Sequence, residues 1–193
     1  DGTWLVLAHE FADTNKRTVA LNRDTGEVVW TSAANQPGPF FFGYEYYIKK
    51  DGVKVIMQNS KEGLHAMSIE DGRELWFVSP GGGLNPCVDQ QGGLVYYQTE
   101  GRLTKIDAET GQVLMSVAVP KPSLAVSGNT VLVNDLYGCF IVTYWYSAVL
   151  YGSAIRVYDE NLNLVWEETG LAMSKKATLT YHGVKDFVGS GAH

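Results

Sequence analysis

Two short groups of residues have side chains that could take part in chemistry. His9, Glu10 and Asp13 lie close together in sequence and could bind a metal ion or transfer a proton. Nothing else in the sequence supplies the remaining ligands, so a solvated loop is the simpler interpretation. Residues 159–161, Asp-Glu-Asn, resemble the start of a calcium-binding loop but lack the glycine and the distal glutamate of that pattern. We therefore predict no metal site and no catalytic residue.

Nucleophile chemistry finds no support in the sequence either. There is no nucleophile elbow, no metal-binding histidine pair and no Cys-x-x-Cys motif. His65 alternates within a predicted strand and is expected to be a surface residue or a hydrogen-bonded strand residue. Cys87 and Cys139 are far apart in sequence. They are either two free thiols or, if the fold brings their Cα atoms within about 7 Å, a disulfide.

Aromatic residues are concentrated between positions 136 and 152. A turn is expected at Gly128 and Asn129, so that residues 136–152 form an insertion after the second strand of their unit. The insertion is too short to span a membrane and too apolar to be a solvated loop. It is either a hairpin that packs on neighbouring loops or a contact surface for a partner or ligand. The candidate contact residues are Tyr137, Phe140, Tyr144, Trp145, Tyr146 and Tyr151.

These residues must be positioned by a scaffold, and the scaffold is visible as a repeat. The stretch at residues 20–30, Ala-Leu-Asn-Arg-Asp-Thr-Gly-Glu-Val-Val-Trp, recurs in altered form at residues 66–76, 105–115 and 157–166. Each copy has the pattern strand, tight turn, strand, at a spacing of about 40–50 residues, which is typical of repeat architectures. We predict an all-β protein: a β-propeller of four-stranded antiparallel blades, with about four blades in this chain.

The strands divide the chain into one repeat domain over residues 1–193. It comprises a partial blade 1–34, blade 35–79, blade 80–119, blade 120–170 with its insertion 136–152, and a partial blade 171–193. The chain could be part of a longer protein, could pair with another chain, or could close alone as a small ring. We expect the first, with another propeller segment or a copy of itself completing the ring.

Loop lengths indicate one face of the scaffold. With the strands of a blade labelled A to D in chain order, the A–B and C–D turns are short and centred on glycine. The B–C and D–A connections carry the length, at residues 9–16, 33–39, 79–85, 136–152 and 169–175. Since binding residues on a rigid scaffold are usually in its variable loops, we predict that contacts are made by the B–C and D–A face.

Composition excludes two classes of partner. The formal net charge is −6, and a nucleic-acid partner would require a basic stripe, so none is expected. No stretch of 18 apolar residues is present, so no membrane-spanning helix is expected.

The repeated stretch resembles the tryptophan-docking motif of PQQ-like (quinoprotein-type) β-propeller repeats. The first copy matches the motif throughout, and the second keeps its alanine, glycine and tryptophan. The third copy keeps the glycine but has Met115 in place of tryptophan, and the fourth keeps Trp166 but has no glycine in its turn. The resemblance implies that the outer-strand tryptophan stacks on the neighbouring turn. The residues with this structural role would be Trp30, Trp76, Met115, Trp166, Gly26, Gly72 and Gly111.

The same resemblance leaves two functions open. One is a non-catalytic scaffold for binding or assembly outside the cytoplasm, in the periplasm, secreted or on the cell surface, with no cofactor. The alternative is a segment of a PQQ-dependent alcohol or sugar dehydrogenase, which would bind PQQ and calcium. Members of that class carry adjacent cysteines and a calcium site that have no counterpart here, which favours the scaffold.

Overall fold

The structure is a computed structural model, and it describes an all-β protein. The described residues are 5–12, 15–32, 45–60, 62–81, 86–99, 101–119, 125–135, 138–147, 153–171, 178–181 and 187–190. They form 17 β-strands in five antiparallel sheets, and the described residues contain no helix. The predicted fold class, a β-propeller built from four-stranded antiparallel blades, is confirmed.

The chain divides into two compact units. The first consists of Asp1–Gly83 together with Ala108–Gln112. It holds a three-stranded sheet of β1 (Leu5–Ala12), β2 (Asn15–Asn22) and β3 (Val28–Thr31). It also holds a four-stranded sheet of β4 (Glu45–Ile48), β5 (Lys54–Asn59), β6 (Leu64–Ser68) and β7 (Glu74–Val78).

The second unit consists of Leu84–Asp107 and Val113–His193. One sheet contains β8 (Cys87–Asp89), β9 (Leu94–Gln98), β10 (Arg102–Asp107) and β11 (Val113–Ala118). The next contains β12 (Ala125–Asp135), β13 (Gly138–Ser147), β14 (Ser153–Asp159) and β15 (Leu164–Leu171). The last two strands, β16 (Thr178–Tyr181) and β17 (Phe187–Ser190), pair with each other.

Each repeated stretch folds as two strands joined by a tight C–D turn. Gly26, Gly72 and Gly111 have φ angles of 72°, 70° and 74°, a left-handed conformation that glycine adopts without steric cost. In the first two turns the glycine amide donates to the carbonyl four residues earlier, with Gly26 N 2.8 Å from Asn22 O. The fourth turn places Leu162 in the same conformation, with φ 58°.

Each unit has its own hydrophobic core between successive sheets. In the first unit Trp30 packs with Ala20 from one sheet and with Ile56 and Met67 from the other. In the second unit a larger cluster joins Tyr96 and Leu103 to Ile141 and Tyr158 of the following sheet. The inner strands are therefore buried on both faces, which explains their nearly continuous apolar sequences.

Two expectations about loops are wrong. Residues 9–12, assigned to a loop, continue β1 and pair with β2 in unbroken register as far as Ala12 opposite Asn15. Residues 136–152 are not an insertion: β13 occupies 138–147 and is the second strand of its sheet. Gly128 and Asn129 make no turn but lie inside β12, opposite Trp145 and Tyr144. The paired neighbouring strand keeps this segment extended and overrides its local turn preference.

Candidate functional site

The aromatic residues proposed as a contact surface are split by the fold. Phe140 is buried, at 8% exposure, and does not belong to an exposed surface. It lies in the middle of the sheet, opposite Val133 on β12 and Asp159 on β14, where both faces are covered. Tyr144 is half-buried, and Trp145 and Tyr146 follow it in β13. Tyr137 and Tyr151 lie outside the described residues.

Tyr144, Trp145 and Tyr146 nevertheless share one end of the sheet. They are the last aromatic residues of β13 before the B–C connection, and Trp145 is opposite Ala154, near the start of β14. This end is the B–C side that the sequence indicated. Their positions in β13 agree with the predicted contact face, and their role in binding a partner stays a prediction.

Next to the B–C loop of the second sheet lies a group of three side chains, from the loop, β6 and β7, that the sequence did not bring together. His65 on β6 has its Nδ1 2.7 Å from Glu74 Oε2 and its Nε2 3.1 Å from Ser60 Oγ. The imidazole also lies against the ring of Phe77, with centroids 4.6 Å apart. A serine, a histidine and a carboxylate in this order have the hydrogen-bonding pattern of a nucleophilic triad.

The surroundings of Ser60 give this group a different role. Ser60 is 1% exposed, and its hydroxyl donates to Gly63 O at 2.9 Å while accepting from Gly63 N at 3.1 Å. A nucleophile must reach a substrate, and this hydroxyl is enclosed by the loop that it stabilises. Through these hydrogen bonds the group holds the loop from Ser60 to Gly63 against the imidazole of His65. The hydroxyl residue at the loop start and the glycine three positions later are the sequence signal that could have indicated it.

The tryptophans of the repeated stretch contact glycines in the following turn. Trp30 Nε1 donates to Ile69 O at 2.8 Å, and its ring covers Gly72. Trp76 Nε1 donates to Ala108 O at 3.1 Å, and a β-carbon on Gly111 would come within 2.7 Å of Trp76 Cβ and Cγ.

The two later tryptophan positions are less enclosed. Met115 is 39% exposed, and Trp166 is half-buried. Gly26, in the first turn, has no atom within 4 Å of its hypothetical β-carbon.

Neither cysteine forms a disulfide. Cys87 is buried and Cys139 is half-buried. Burial raises the pKa of the Cys139 thiol, and the nearby carboxylates of Asp89 and Glu160 raise it further, against an opposing effect of Lys105. A raised pKa disfavours the nucleophilic thiolate, so Cys139 is not an activated cysteine.

Within the described ranges, no group of three or more His, Cys, Asp or Glu residues is placed to hold a metal ion. His9 and Glu10 lie in β1, while Asp13 is outside the described residues. The same part of the chain contains no helix long and apolar enough to cross a membrane.

Antiparallel four-stranded sheets in sequence order, with glycine turns beneath the outer-strand tryptophans, define a protein of the PQQ-like β-propeller class. The family model described as "Outer membrane protein assembly factor BamB" matches residues 1–80 and 60–191, and the chain belongs to this family. No curated protein matches the sequence significantly.

Solved structures share the fold at low sequence identity. The dihydro-heme d1 dehydrogenase NirN, in complex with DHE, matches with a TM-score of 0.64 and 16% identity over 86% of this chain. The computationally designed protein Ika8 has a TM-score of 0.56 and 15% identity over 91% of the chain. BamB from Moraxella catarrhalis has a TM-score of 0.51 and 14% identity over 85% of the chain. The chain spans 38% of the length of NirN and 52% of each of the other two.

Proposed function

We propose that the protein is a non-catalytic β-propeller scaffold that binds a protein partner during assembly processes outside the cytoplasm. The observation that carries this proposal is the match of the assembly-factor family model along nearly the whole chain. The burial of Ser60 agrees with it, because the hydroxyl of this triad-like group is enclosed and donates to Gly63 O within its own loop.

The partner surface is proposed to be the face formed by the B–C and D–A connections. Tyr144, Trp145 and Tyr146 lie at this end of β13, and aromatic residues are enriched at the energetically important positions of protein interfaces. In the first unit, Glu62 in a B–C loop and Lys50 in an A–B turn are exposed at opposite ends of β5. These two residues offer a matched pair for testing the B–C side of the first unit.

Site-specific photo-crosslinking would test the face directly. A photoreactive residue replacing Glu62, in the full-length native protein in its own cells, is expected to crosslink to a component of the outer-membrane assembly machinery. The same residue replacing Lys50 is the control and is expected to give no such product. Crosslinking from position 50 alone would contradict the assignment of the face.

Completion of the propeller is proposed to need a further segment of the native protein or a second copy of the chain. The chain spans only about half the length of the matched BamB structure. Sedimentation of this chain and the length of the native gene product distinguish these two ways of closing the ring. A dimer supports closure by a second copy. A longer native chain supports closure by a further segment of the same protein. A closed monomer from a gene of this length would contradict both.

A dehydrogenase segment remains the second candidate, and the dehydrogenase NirN has the same fold. Addition of PQQ and Ca²⁺, followed by visible absorption spectroscopy, tests it. Tight stoichiometric binding with alcohol-dependent dye reduction would overturn the scaffold proposal. No binding by the full-length protein would remove the dehydrogenase.

A further inference from the structure

Three buried polar side chains in the second unit have hydrogen-bonding atoms that no described protein group reaches. They are both amide atoms of Gln98, the hydroxyl of Thr143 and Nη1 of Arg156. Gln98 and Thr143 are fully buried, and Arg156 is 5% exposed. A buried polar atom without a partner carries a free-energy penalty, so each such atom requires a physical explanation.

Thr143 and Arg156 belong to a polar row that crosses one sheet. Thr143 lies opposite Thr130 on β12 and opposite Arg156 on β14, and Arg156 lies opposite Glu167 on β15. Directly opposite residues project from the same face of a sheet. Arg156 Nε donates to Glu167 Oε2, so the charge of the guanidinium is already paired while Nη1 is not.

The polar row faces the core that this sheet shares with the preceding one. Ile141 and Tyr158 lie two residues from Thr143 and Arg156 and therefore project from the same face. Both belong to the hydrophobic cluster that contains Leu103 of the preceding sheet.

Gln98 faces the same core from the other side. It lies opposite Leu103 and two residues from Tyr96, and both of these belong to the cluster. The unsatisfied atoms of Gln98, Thr143 and Arg156 thus project into one layer between two sheets of the second unit.

The internal repeat places these groups at the same level in that layer. In the first unit, Thr18 Oγ1 donates to Gln58 Oε1 at 3.1 Å, from one sheet to the next. The strand pairings give Leu103 the same position in the third sheet that Thr18 has in the first. They also give Thr143 the same position in the fourth sheet that Gln58 has in the second. Leu103 therefore lies towards Thr143 where the first unit makes a direct hydrogen bond, and Gln98 lies beside Leu103 on the neighbouring strand, at the same height along the strands.

We propose that ordered water molecules bind between Gln98, Thr143 and Arg156 and form an internal hydrated site between the two sheets. Arg156 Nη1 can only donate, whereas Gln98 Oε1 can only accept, so the occupant must both donate and accept hydrogen bonds. A small anion cannot donate to Gln98 Oε1, and the charge of Arg156 is already balanced by Glu167. Water meets the requirement and commonly makes about three hydrogen bonds to buried polar groups.

The substitution Thr143→Val tests the site because it removes one hydroxyl at nearly constant volume. If the site is hydrated, the melting temperature is expected to fall by about 3 °C, since the bound water loses a partner. An unchanged or higher melting temperature would overturn the proposal, because removal of an unpaired hydroxyl from a dry core is neutral or stabilising. Thr104→Val is the matched control: its Oγ1 bonds directly to Ser116 Oγ at 3.1 Å, so the melting temperature should fall.

A crystal structure of this chain provides the second readout. Water is expected within about 3.2 Å of Gln98 Nε2 or Oε1 and of Arg156 Nη1. Direct contacts between these side chains, an anion in their place, or an empty apolar gap would each overturn the proposal.

Discussion

The indole ring of Trp30 lies over the α-carbon of Gly72, so closely that a β-carbon at residue 72 would come within 2.8 Å of Trp30 Cζ3 and 2.9 Å of Cδ2. The ring is held there by the hydrogen bond from its Nε1 to Ile69 O, at 2.8 Å. The tryptophan of one turn thus requires a glycine in the next. Trp76 and Gly111 have the same relationship, so the repeated stretch encodes a contact between successive copies.

Replacing Trp30 by alanine should reduce stability without affecting partner binding. Trp30 is 8% exposed, and truncation of a buried tryptophan costs about 3 kcal/mol. Urea unfolding measures the loss. Met115→Ala is the control, because Met115 is 39% exposed and the variant should lose less than about 1 kcal/mol. A folded Trp30→Ala variant that selectively lost partner binding would show that the tryptophan has a different role.

Two glycine substitutions should separate backbone strain from steric overlap. Gly26 and Gly72 have nearly equal positive φ angles, and only Gly72 is covered by an indole ring. Alanine should cost about 1–2 kcal/mol at either position because of the left-handed backbone. At Gly72 the overlap with Trp30 should add about 1–3 kcal/mol. Equal losses in chemical denaturation would contradict the packing of Trp30 on Gly72.

Variants at Leu162 should show an unusual order of stability. Its φ angle of 58° is unfavourable for leucine, but its side chain is buried in the core of the second unit. Leu162→Ala loses this packing and keeps the strain, whereas Leu162→Gly loses the packing and relieves the strain. We expect the glycine variant to be more stable than the alanine variant by about 1 kcal/mol. The reverse order in thermal or urea unfolding would show that the turn relaxes when the side chain is removed.

Stability should fall at alkaline pH because of buried tyrosines. Burial raises the pKa of Tyr158 to about 12, with Arg156 acting in the opposite direction and Glu167 adding to the rise. The folded state therefore retains the phenol proton more strongly than the unfolded state, whose tyrosine pKa is about 10. The stabilisation is complete below pH 10 and is lost as the pH rises from about 10 to 12.

Tyrosinate absorbance and unfolding curves over this pH range measure the effect. Tyr158→Phe should weaken the pH dependence but not remove it, because burial also raises the pKa of Tyr96. A variant with the same dependence as the parent protein would exclude Tyr158 as a contributor.

Ser60 should behave as a structural residue and not as a nucleophile. Fluorophosphonate reagents are expected not to label it, because its hydroxyl is buried and bonded to Gly63. Ser60→Ala should cost about 1–3 kcal/mol, since Gly63 and His65 lose a buried partner. Labelling that disappears in the Ser60→Ala variant would establish a reactive serine and contradict the scaffold proposal.

The repeat could be recognised in the sequence because the residues that define it are close together in the chain. Gly26, Gly72 and Gly111 mark turns that need a positive φ, and strands with several apolar residues lie on either side of each turn. The first two copies, each eleven residues long, end in a tryptophan, and these tryptophans mark equivalent positions on the outer strands. Such signals depend only on neighbouring residues, so the pairing of the two strands that each of these turns joins and the propeller class follow from them.

The candidate site was less predictable because it depends on strand pairing. Gly128 and Asn129 have turn-forming sequences but are held extended opposite Tyr144 and Trp145. Phe140 has the composition of an interface residue and is buried in the sheet instead. Whether a segment extends or turns is decided here by the hydrogen bonds of its partner strand, which composition does not reveal.

The sequence by itself thus determined the glycine-containing turns of the repeat, the pairing of the strands that they join, and the family of this protein, since each follows from residues close together in the chain. Only the tertiary structure brought Ser60, His65 and Glu74 together, set Leu162 into a core, and placed Thr143 opposite Arg156. These contacts join residues from different strands or sheets. Their partners are set by register and sheet packing, which act over distances that local sequence patterns do not encode.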